Sequence, residues 1–512
     1  MLRKRILTIP LNRVEGDLEI RVELENGHVV DAWSSGTMFR GFEQIMVGRG
    51  ALDGLVITPR VCGICSTAHL TAASRALDHL AGATVLPDAV RVRNVALMAE
   101  HIQSDIRHTF LMFTADFVNA AYRKQPLYAE AVRRYTPFTG ETVREVIRET
   151  KRILEVVAIV GGQWPHSSYM VPGGLASALS EAGLAQCRLL LKHYIHWFEQ
   201  RILGCSLQRW SAVRTAADLE AWLDESREHR DSDLGFFIRY ARAIGLHKLG
   251  RGHDNFLSYG YLDLPEGTAV KGFGKGGMLV PAGFARGVKV SAFDPARISE
   301  HVAHSWFVDY PGGKHPFQGQ TQPYASGSEG GKYSWAKAPR YMDLPAETGP
   351  LAEMIMCRNG LFRALVQKDG ANVFVRQLAR IVRPVLLMPA MEAWLGEARG
   401  DSRFYCSPGA ITNGQGYGLT HAARGALGHW VKIADGKITH YQIITPTTWH
   451  ASPRDTNGVR GSIEQALVGA PLPDPDNPVE LGHVIRSFDP CLVCTVHSLS
   501  RGRTLRRLAL ET

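Results

Sequence analysis

Two cysteine pairs stand at opposite ends of this chain, Arg60-Val61-Cys62-Gly63-Ile64-Cys65-Ser66-Thr67-Ala68-His69 near the start and Asp489-Pro490-Cys491-Leu492-Val493-Cys494-Thr495-Val496-His497 near the end. C-x-x-C spacing lets one turn of chain point two thiolates at a single metal, and two such pairs offer four soft sulfur ligands of the kind late transition metals prefer. If both pairs serve one site, the 512-residue chain must close on itself. Length alone suggests about two or three domains. The cysteine pairs argue instead for one interlocked unit.

With 45% hydrophobic and 21% charged residues, the chain can bury a large core and does not have the profile of a disordered segment. Its formal net charge of +9 comes from 58 basic and 49 acidic residues spread along the sequence, apart from a basic tail. No repeat, low-complexity tract or RNP-like aromatic motif accompanies that charge, so it reads as a mixed solvated surface and nucleic acid is not an expected partner. Met1-Leu2-Arg3-Lys4-Arg5 is basic but is followed by no signal-like apolar region, and no apolar run is long enough to span a bilayer. The expected location is the cytoplasm, with membrane association or export supplied only through partners. Eight cysteines in such a chain do not make a disulfide framework. The four outside the pairs, Cys187, Cys205, Cys357 and Cys406, read as small buried hydrophobes.

Leu18, Ile20, Val22 and Leu24 alternate with polar residues ahead of Asn26-Gly27, which predicts a β-hairpin over 17–33. Helical periodicity covers 66–81, 88–124 (with Pro87 before it and Asp88 as cap), 142–162, 174–206, 215–229, 233–245, 347–369 and 371–398, with a short helix near 461–469. Between Gly260 and about Lys332, frequent Gly and Pro suggest an irregular β-containing excursion; 404–450 alternates Gly-rich turns with strand-like runs around Asp435-Gly436. The expected class is α+β and helix-dominant, a central helical bundle with peripheral β segments.

A C-x-x-C pair also suits structural zinc, a thioredoxin-like redox site or haem attachment. Haem requires His directly after the second Cys, where Ser66 and Thr495 stand. A redox pair leaves the second motif unexplained and finds no βαβ pattern around the first. Zinc stays open on spacing, although its paired motifs are usually closer together.

The flanking residues discriminate further. The patterns R-x-C-G-x-C-x-x-x-H and D-P-C-x-x-C-x-x-H resemble the two signatures of the large subunit of nickel-iron hydrogenases, matched here at every fixed position. Asn12-Arg13-Val14-Glu15-Gly16, Phe39-Arg40-Gly41-Phe42-Glu43, Arg424-Gly425-Ala426-Leu427-Gly428-His429 and Pro446-Thr447-Thr448-Trp449 extend the likeness over most of the chain. It implies that family's large-subunit fold and heterolytic oxidation of H2, with electrons passing to an iron-sulfur small subunit. The implied cofactor is a NiFe(CO)(CN)2 centre. Cys62, Cys65, Cys491 and Cys494 would hold nickel, with Cys65 and Cys494 also bridging to iron. By the same likeness Cys491 is a candidate proton acceptor, and Arg424 lies over the open site, held by Asp105 and Asp489. Glu15 would relay the proton outward. Glu43, the Ile443 carbonyl and His497 would bind Mg2+ or Fe2+, and Pro446 and Thr447 would line the pocket for the cyanide ligands.

His69 and His429 belong to the motifs without a ligand role and read as packing groups beside the metals. Three departures from the usual pattern surround Arg424: Ala423 replaces a proline, His421 an acidic residue and His450 an asparagine. The resemblance also implies that residues 1–497 form the working unit, and that 498–512 are removed by a maturation protease once chaperones have inserted nickel. An H2-sensing relative with the same metals is the alternative; such chains generally lack a cleavable extension. The related subunits of quinone-reducing complexes lack the four cysteines.

Overall fold

A computed structural model describes residues 5–274 and 276–495, without the side chains of Cys494 and Thr495. His497 and the 498–512 extension lie outside the described residues. Three antiparallel strands open the chain, β1 (Arg5–Pro10), β2 (Leu18–Glu25) and β3 (His28–Gly36), in the order β1-β2-β3. The expected hairpin is β2–β3. Its turn residues Asn26 and Gly27 have φ of 52° and 76°, the left-handed pair that a tight two-residue turn requires. Leu18, Ile20, Val22 and Leu24 face the core. Strand β1 was not predicted; its Ile6 is exposed, and an edge strand of that kind carries little apolar alternation to read.

The bundle is built from α1 (Ser66–Ala81), α2 (Pro87–Arg107), α3 (Glu141–Gly161), α4 (Glu181–Trp197), α5 (Pro350–Met356) and α6 (Val373–Glu397). Helix α2 is central and packs on both α3 and α6. Pro87 is its first helical residue, and Asp88 bonds Arg91 at 2.9 Å rather than capping. The long helix expected over 88–124 stops at Arg107 and continues as a π turn (His108–Phe113) and 3-10 turns (Thr114–Val118, Ala120–Tyr122). Thr109 and Thr114 back-bond to the carbonyls of Asp105 and Phe110 there, a local competition that bends helices. Similarly, 174–206 begins as a short strand pair, and α4 starts only where Ser180 accepts the Gly183 N–H at 3.1 Å.

Two three-stranded antiparallel sheets complete the frame: β4 (Asn255–Asp263), β5 (Met278–Arg286) and β6 (Lys289–Ser291), then β7 (Gly414–Ala422), β8 (Gly425–Ala434) and β9 (Lys437–Ile444). Strand β7 lies directly on the backbone of α1: a Cβ on Gly418 would stand 1.9 Å from the Ala72 carbonyl oxygen, so no other residue fits. Ala422 pairs with Gly425, leaving Ala423-Arg424 as a two-residue loop between β7 and β8. The chain closes through α7 (Pro446–His450), α8 (Val479–Ser487) and α9 (Leu492–Thr495). One hydrophobic cluster runs from Leu18 to Leu492 and includes Cys62, Cys65 and Cys491. Of the four isolated cysteines, Cys187 and Cys357 are buried as expected, whereas Cys205 and Cys406 are half-buried.

Candidate metal centre

Cys62 follows a 3-10 turn (Thr58–Arg60), Cys65 immediately precedes α1, and Cys491 precedes α9. All three are buried, with their sulfurs within 4.8 Å of one another and the Cys62 and Cys491 sulfurs 3.5 Å apart. Thiolates roughly 2.3 Å from a shared metal stand at about that separation, so the residues fit the ion their chemistry implies. The Cys494 side chain is outside the described residues.

Several contacts draw the two ends of the chain together. Glu15 forms a parallel bridge with Cys491, and Gly16, at φ +83°, lies so close to the second motif that a Cβ would sit 2.8 Å from the Val493 nitrogen. Arg40 donates to the carbonyls of Val61 (2.6 Å), Arg60 (3.1 Å) and Val493 (3.3 Å), tying both cysteine turns to one guanidinium. Glu100, on α2, accepts the Thr67 and Ala68 N–H groups at 2.8 and 3.0 Å and so caps α1, which starts just after Cys65. Burial pushes the Glu100 carboxyl up to about 7. Neither role was read from the sequence. Arg40 lies inside a quoted motif, and its contacts are set by residues more than 400 positions away as well as by neighbours.

Arg424 extends from the β7–β8 loop to within electrostatic range of the three thiols. Its Nε donates to the carbonyl and to Oδ1 of Asp489, both at 3.0 Å, while its Nη1 is buried without a partner among the described residues. Burial disfavours its charge, but the Asp489 carboxylate and the Cys491, Cys65 and Cys62 thiolates outweigh it and hold the guanidinium protonated. Asp489 adopts φ 53° and stays below the usual carboxylate range despite burial, because Arg424, His108 and Arg380 surround it.

The expectation for Asp105 is corrected. Its carboxylate is taken by Arg383, at 2.8 and 2.7 Å, and not by Arg424. Arg383 lies on α6, whose Arg376, Arg380 and Arg383 recur at helical spacing among apolar residues and are all buried. That spacing was the available sequence signal.

The three departures all fall on the supports of the Arg424 loop. The Ala423 carbonyl accepts from Arg383 at 2.7 Å, and His421 bonds Glu353 at 2.7 Å. The His450 Nε2 accepts the Thr348 N–H at 3.0 Å, and the Thr348 hydroxyl in turn accepts the Ala426 N–H at 2.7 Å.

Glu15 is half-buried, and its carboxyl is raised by desolvation first and the Cys62 thiolate next, with Arg424 opposing. His69 and His429 join through Nδ1 and Nε2 at 3.1 Å, and the Tyr441 hydroxyl lies 2.9 Å from His429 Nδ1. Burial lowers both imidazoles, His69 to about 4, which favours their neutral forms. The Thr447 hydroxyl accepts the Cys491 N–H at 2.9 Å. Glu43 accepts the Ile443 N–H at 2.9 Å as well as the Thr321 hydroxyl, and Lys337 lies 3.4 Å away. Glu43 and Glu300 both line a cavity of about 20 Å³ that also touches Ile443.

The sequence profile of nickel-dependent hydrogenases matches residues 40–135 and 232–497. The periplasmic NiFeSe hydrogenase large subunit of Desulfomicrobium baculatum is 34% identical, over 96% of this chain and 94% of its own. The uptake hydrogenase large subunit of Rhodobacter capsulatus is 28% identical, over 97% and 96%. The solved structure of the reduced Ni-Fe-Se hydrogenase from D. vulgaris Hildenborough superposes with a TM-score of 0.81 at 30% identity, covering 97% of this chain and all of that one. The chain therefore belongs to the nickel-dependent hydrogenase family, as a large subunit and an oxidoreductase acting on H2. It works with a small subunit, and the reading of the cysteine pairs as structural zinc falls away. No described helix is long and apolar enough to cross a membrane.

Proposed function

We propose that Cys62, Cys65, Cys491 and Cys494 hold a nickel-iron centre at which H2 is oxidised, with Cys65 and Cys494 shared between the two metals. The observation that carries this reading is the meeting of three buried cysteine sulfurs within electrostatic range of the Arg424 guanidinium. When bound, the metal pair supplies a hydride acceptor, and its carbon monoxide and cyanide ligands keep iron low-spin. Arg424 stays charged and polarises the substrate position, and Asp489 holds its Nε edge. Cys491 takes the proton at sulfur, and Glu15, whose backbone lies beside it, accepts the proton next. Thr447, using its oxygen as acceptor for the Cys491 N–H, keeps its hydroxyl proton, which would be available to a cyanide ligand of the iron in a pocket that Pro446 would also line.

A second ion, Mg2+ or Fe2+, would be held by Glu43 with the Ile443 carbonyl and His497. The 20 Å³ cavity beside Glu43 and Glu300 has room for about one ion or water. The electrons leave through iron-sulfur clusters on the small subunit. A protease trims 498–512 after nickel-insertion chaperones have acted, leaving 1–497 as the working unit. Any attachment to a membrane or export is supplied by partners. Infrared spectra of the purified complex under H2 test the centre: bands of iron-bound CO and cyanide that shift with H2 are expected, and their absence would overturn it. Intact-mass measurement of the active enzyme should give a chain ending at His497; an active, nickel-loaded chain retaining Thr512 would refute trimming.

Glu15→Gln should lower H2 oxidation by about 10²- to 10³-fold, the usual cost of losing a positioned proton acceptor, while nickel content stays the same. Because the Glu15 pKa is raised, its accepting carboxylate form grows as pH rises through that pKa. Wild-type activity should therefore climb with pH over an acidic limb that the variant lacks. An unchanged limb in Glu15→Gln would exclude the relay.

A further inference from the structure

A buried network beneath the Arg424 loop has no part in the chemistry above. Arg383 forks between two carboxylates, with Nε and Nη2 on Asp105 and Nη1 on Glu353 Oε1 at 2.9 Å; Nη2 also donates to the Ala423 carbonyl at 2.7 Å. Glu353 has two further donors, the Tyr261 hydroxyl at 2.9 Å and His421 Nδ1 at 2.7 Å. The Tyr259 N–H approaches Nε2 at 3.1 Å, beside the Ser258 hydroxyl at 3.2 Å, whose own proton goes to the Pro281 carbonyl at 2.9 Å. Nδ1 faces the Glu353 carboxylate, which can only accept, so Nδ1 carries a proton. The ring is stacked on Tyr261, with centroids 4.7 Å apart and planes 5° from parallel, and the His421 carbonyl accepts from His101 at 3.1 Å. Arg383, Glu353, His421, Tyr261 and His101 are all fully buried, and Asp105 nearly so.

We propose that His421 is a positioning residue for Arg424: its Nδ1–H satisfies Glu353, so that Arg383 remains shared with the Ala423 carbonyl and fixes the two-residue loop that aims the Arg424 guanidinium. The proposal rests on the reading of Arg424 as the group over the substrate position. One guanidinium faces two carboxylates here, so Glu353 depends on the His421 and Tyr261 donors for the rest of its solvation. Without the imidazole proton, Arg383 is drawn towards Glu353 and away from Ala423. The loop has no spare residue to absorb that movement. Arg424 itself is anchored through a single donor, Nε on Asp489, so its aim follows the backbone at Ala423.

Two substitutions separate the two bonds of His421. His421→Gln places an amide oxygen near the Nε2 position and keeps the Tyr259 acceptor but loses the donor to Glu353; His421→Asn places an amide nitrogen near Nδ1 and keeps that donor. In the nickel-loaded complex with its small subunit, His421→Gln should lower kcat for H2 oxidation about 10-fold at unchanged nickel content, since small misplacements of an oriented group cost up to about 100-fold. His421→Asn should stay within about threefold. In an Arg424→Lys background, His421→Gln should cost less than about twofold, because effects that run through one group do not add. Amide hydrogen exchange of the whole complex should speed up over residues 422–426 in His421→Gln and not in His421→Asn.

Equal losses from His421→Gln in both backgrounds, equal damage from Gln and Asn, or unchanged exchange at 422–426 would each overturn the positioning role. If His421→Gln does not load nickel, Tyr261→Phe removes the other donor to Glu353 and takes its place in the same cycle. If Arg424→Lys alone leaves the rate unchanged, the reading of Arg424 fails; if it lowers the rate but the His421 effects still add, only the positioning role fails.

Discussion

Cys491→Ser is expected to abolish H2 oxidation, by at least about 10³-fold, and to leave the purified complex with a small fraction of its nickel. A serine hydroxyl is harder than a thiolate and stays protonated where a metal-bound cysteine does not, so a soft metal loses both affinity and charge compensation. The loss should exceed that from Glu15→Gln because Cys491 is read as both ligand and first proton acceptor. Its backbone N–H to Thr447 survives the substitution, so the local fold is retained and the effect can be assigned to sulfur. Nickel per chain by plasma mass spectrometry, beside an H2-uptake assay, checks this. Cys406→Ser, half-buried and remote from the motifs in sequence, serves as the control and should change neither. A nickel-replete, active Cys491→Ser enzyme would remove Cys491 from the centre.

Arg383→Met is expected to destabilise the fold by about 3–5 kcal/mol, because it leaves two buried carboxylates without the cation they share. Asp105 and Glu353 are almost wholly inaccessible to water, and both pair with that one guanidinium. Methionine fills much of the volume, so the penalty comes from charge rather than a cavity. The urea midpoint of the purified complex, followed by tryptophan fluorescence, should fall well below wild type. Adding Asp105→Asn and Glu353→Gln to Arg383→Met should recover part of the loss, since amides tolerate the missing cation. A midpoint shift equivalent to less than about 1 kcal/mol would mean that the network adds no net stability.

Local signals made much of the fold legible. Asn26-Gly27 announces the β2–β3 turn because only a few residue types adopt two successive positive φ angles, and the apolar spacing of α1 and α3 gives their ends to within a residue. The region after Arg107 kept its apolar periodicity but lost α-helical geometry, as threonine hydroxyls compete for the carbonyls. At the centre, the motifs pointed to Cys62, Cys65, Cys491, Glu15, Arg424 and Asp489, which the structure brings to one place. They misassigned Asp105, because the choice between Arg424 and Arg383 depends on α6, 278 positions further along the chain. Arg40 and Glu100 escaped notice for the same physical reason. Arg40 donates to backbone carbonyls and Glu100 accepts backbone N–H groups at the cysteine turns, and a backbone partner leaves no mark on the sequence.

The pairing of Glu15 with Cys491 has a consequence for the order of events in the cell. Arg40 binds carbonyls on both cysteine turns, and the Cys62 and Cys491 sulfurs that meet at 3.5 Å are separated by 429 positions. On the proposed four-cysteine centre, no nascent polypeptide can therefore present the full ligand set: until Cys491 and Cys494 emerge from the ribosome, only the Cys62–Cys65 half is available, and two thiolates alone discriminate poorly among soft ions. Metal selection is thus deferred to a finished chain, where contacts of such long range are among the slowest to form. The cell has an interval in which to supply the right ion, and a ribosome that stalls before Cys491 leaves a product that cannot be loaded correctly.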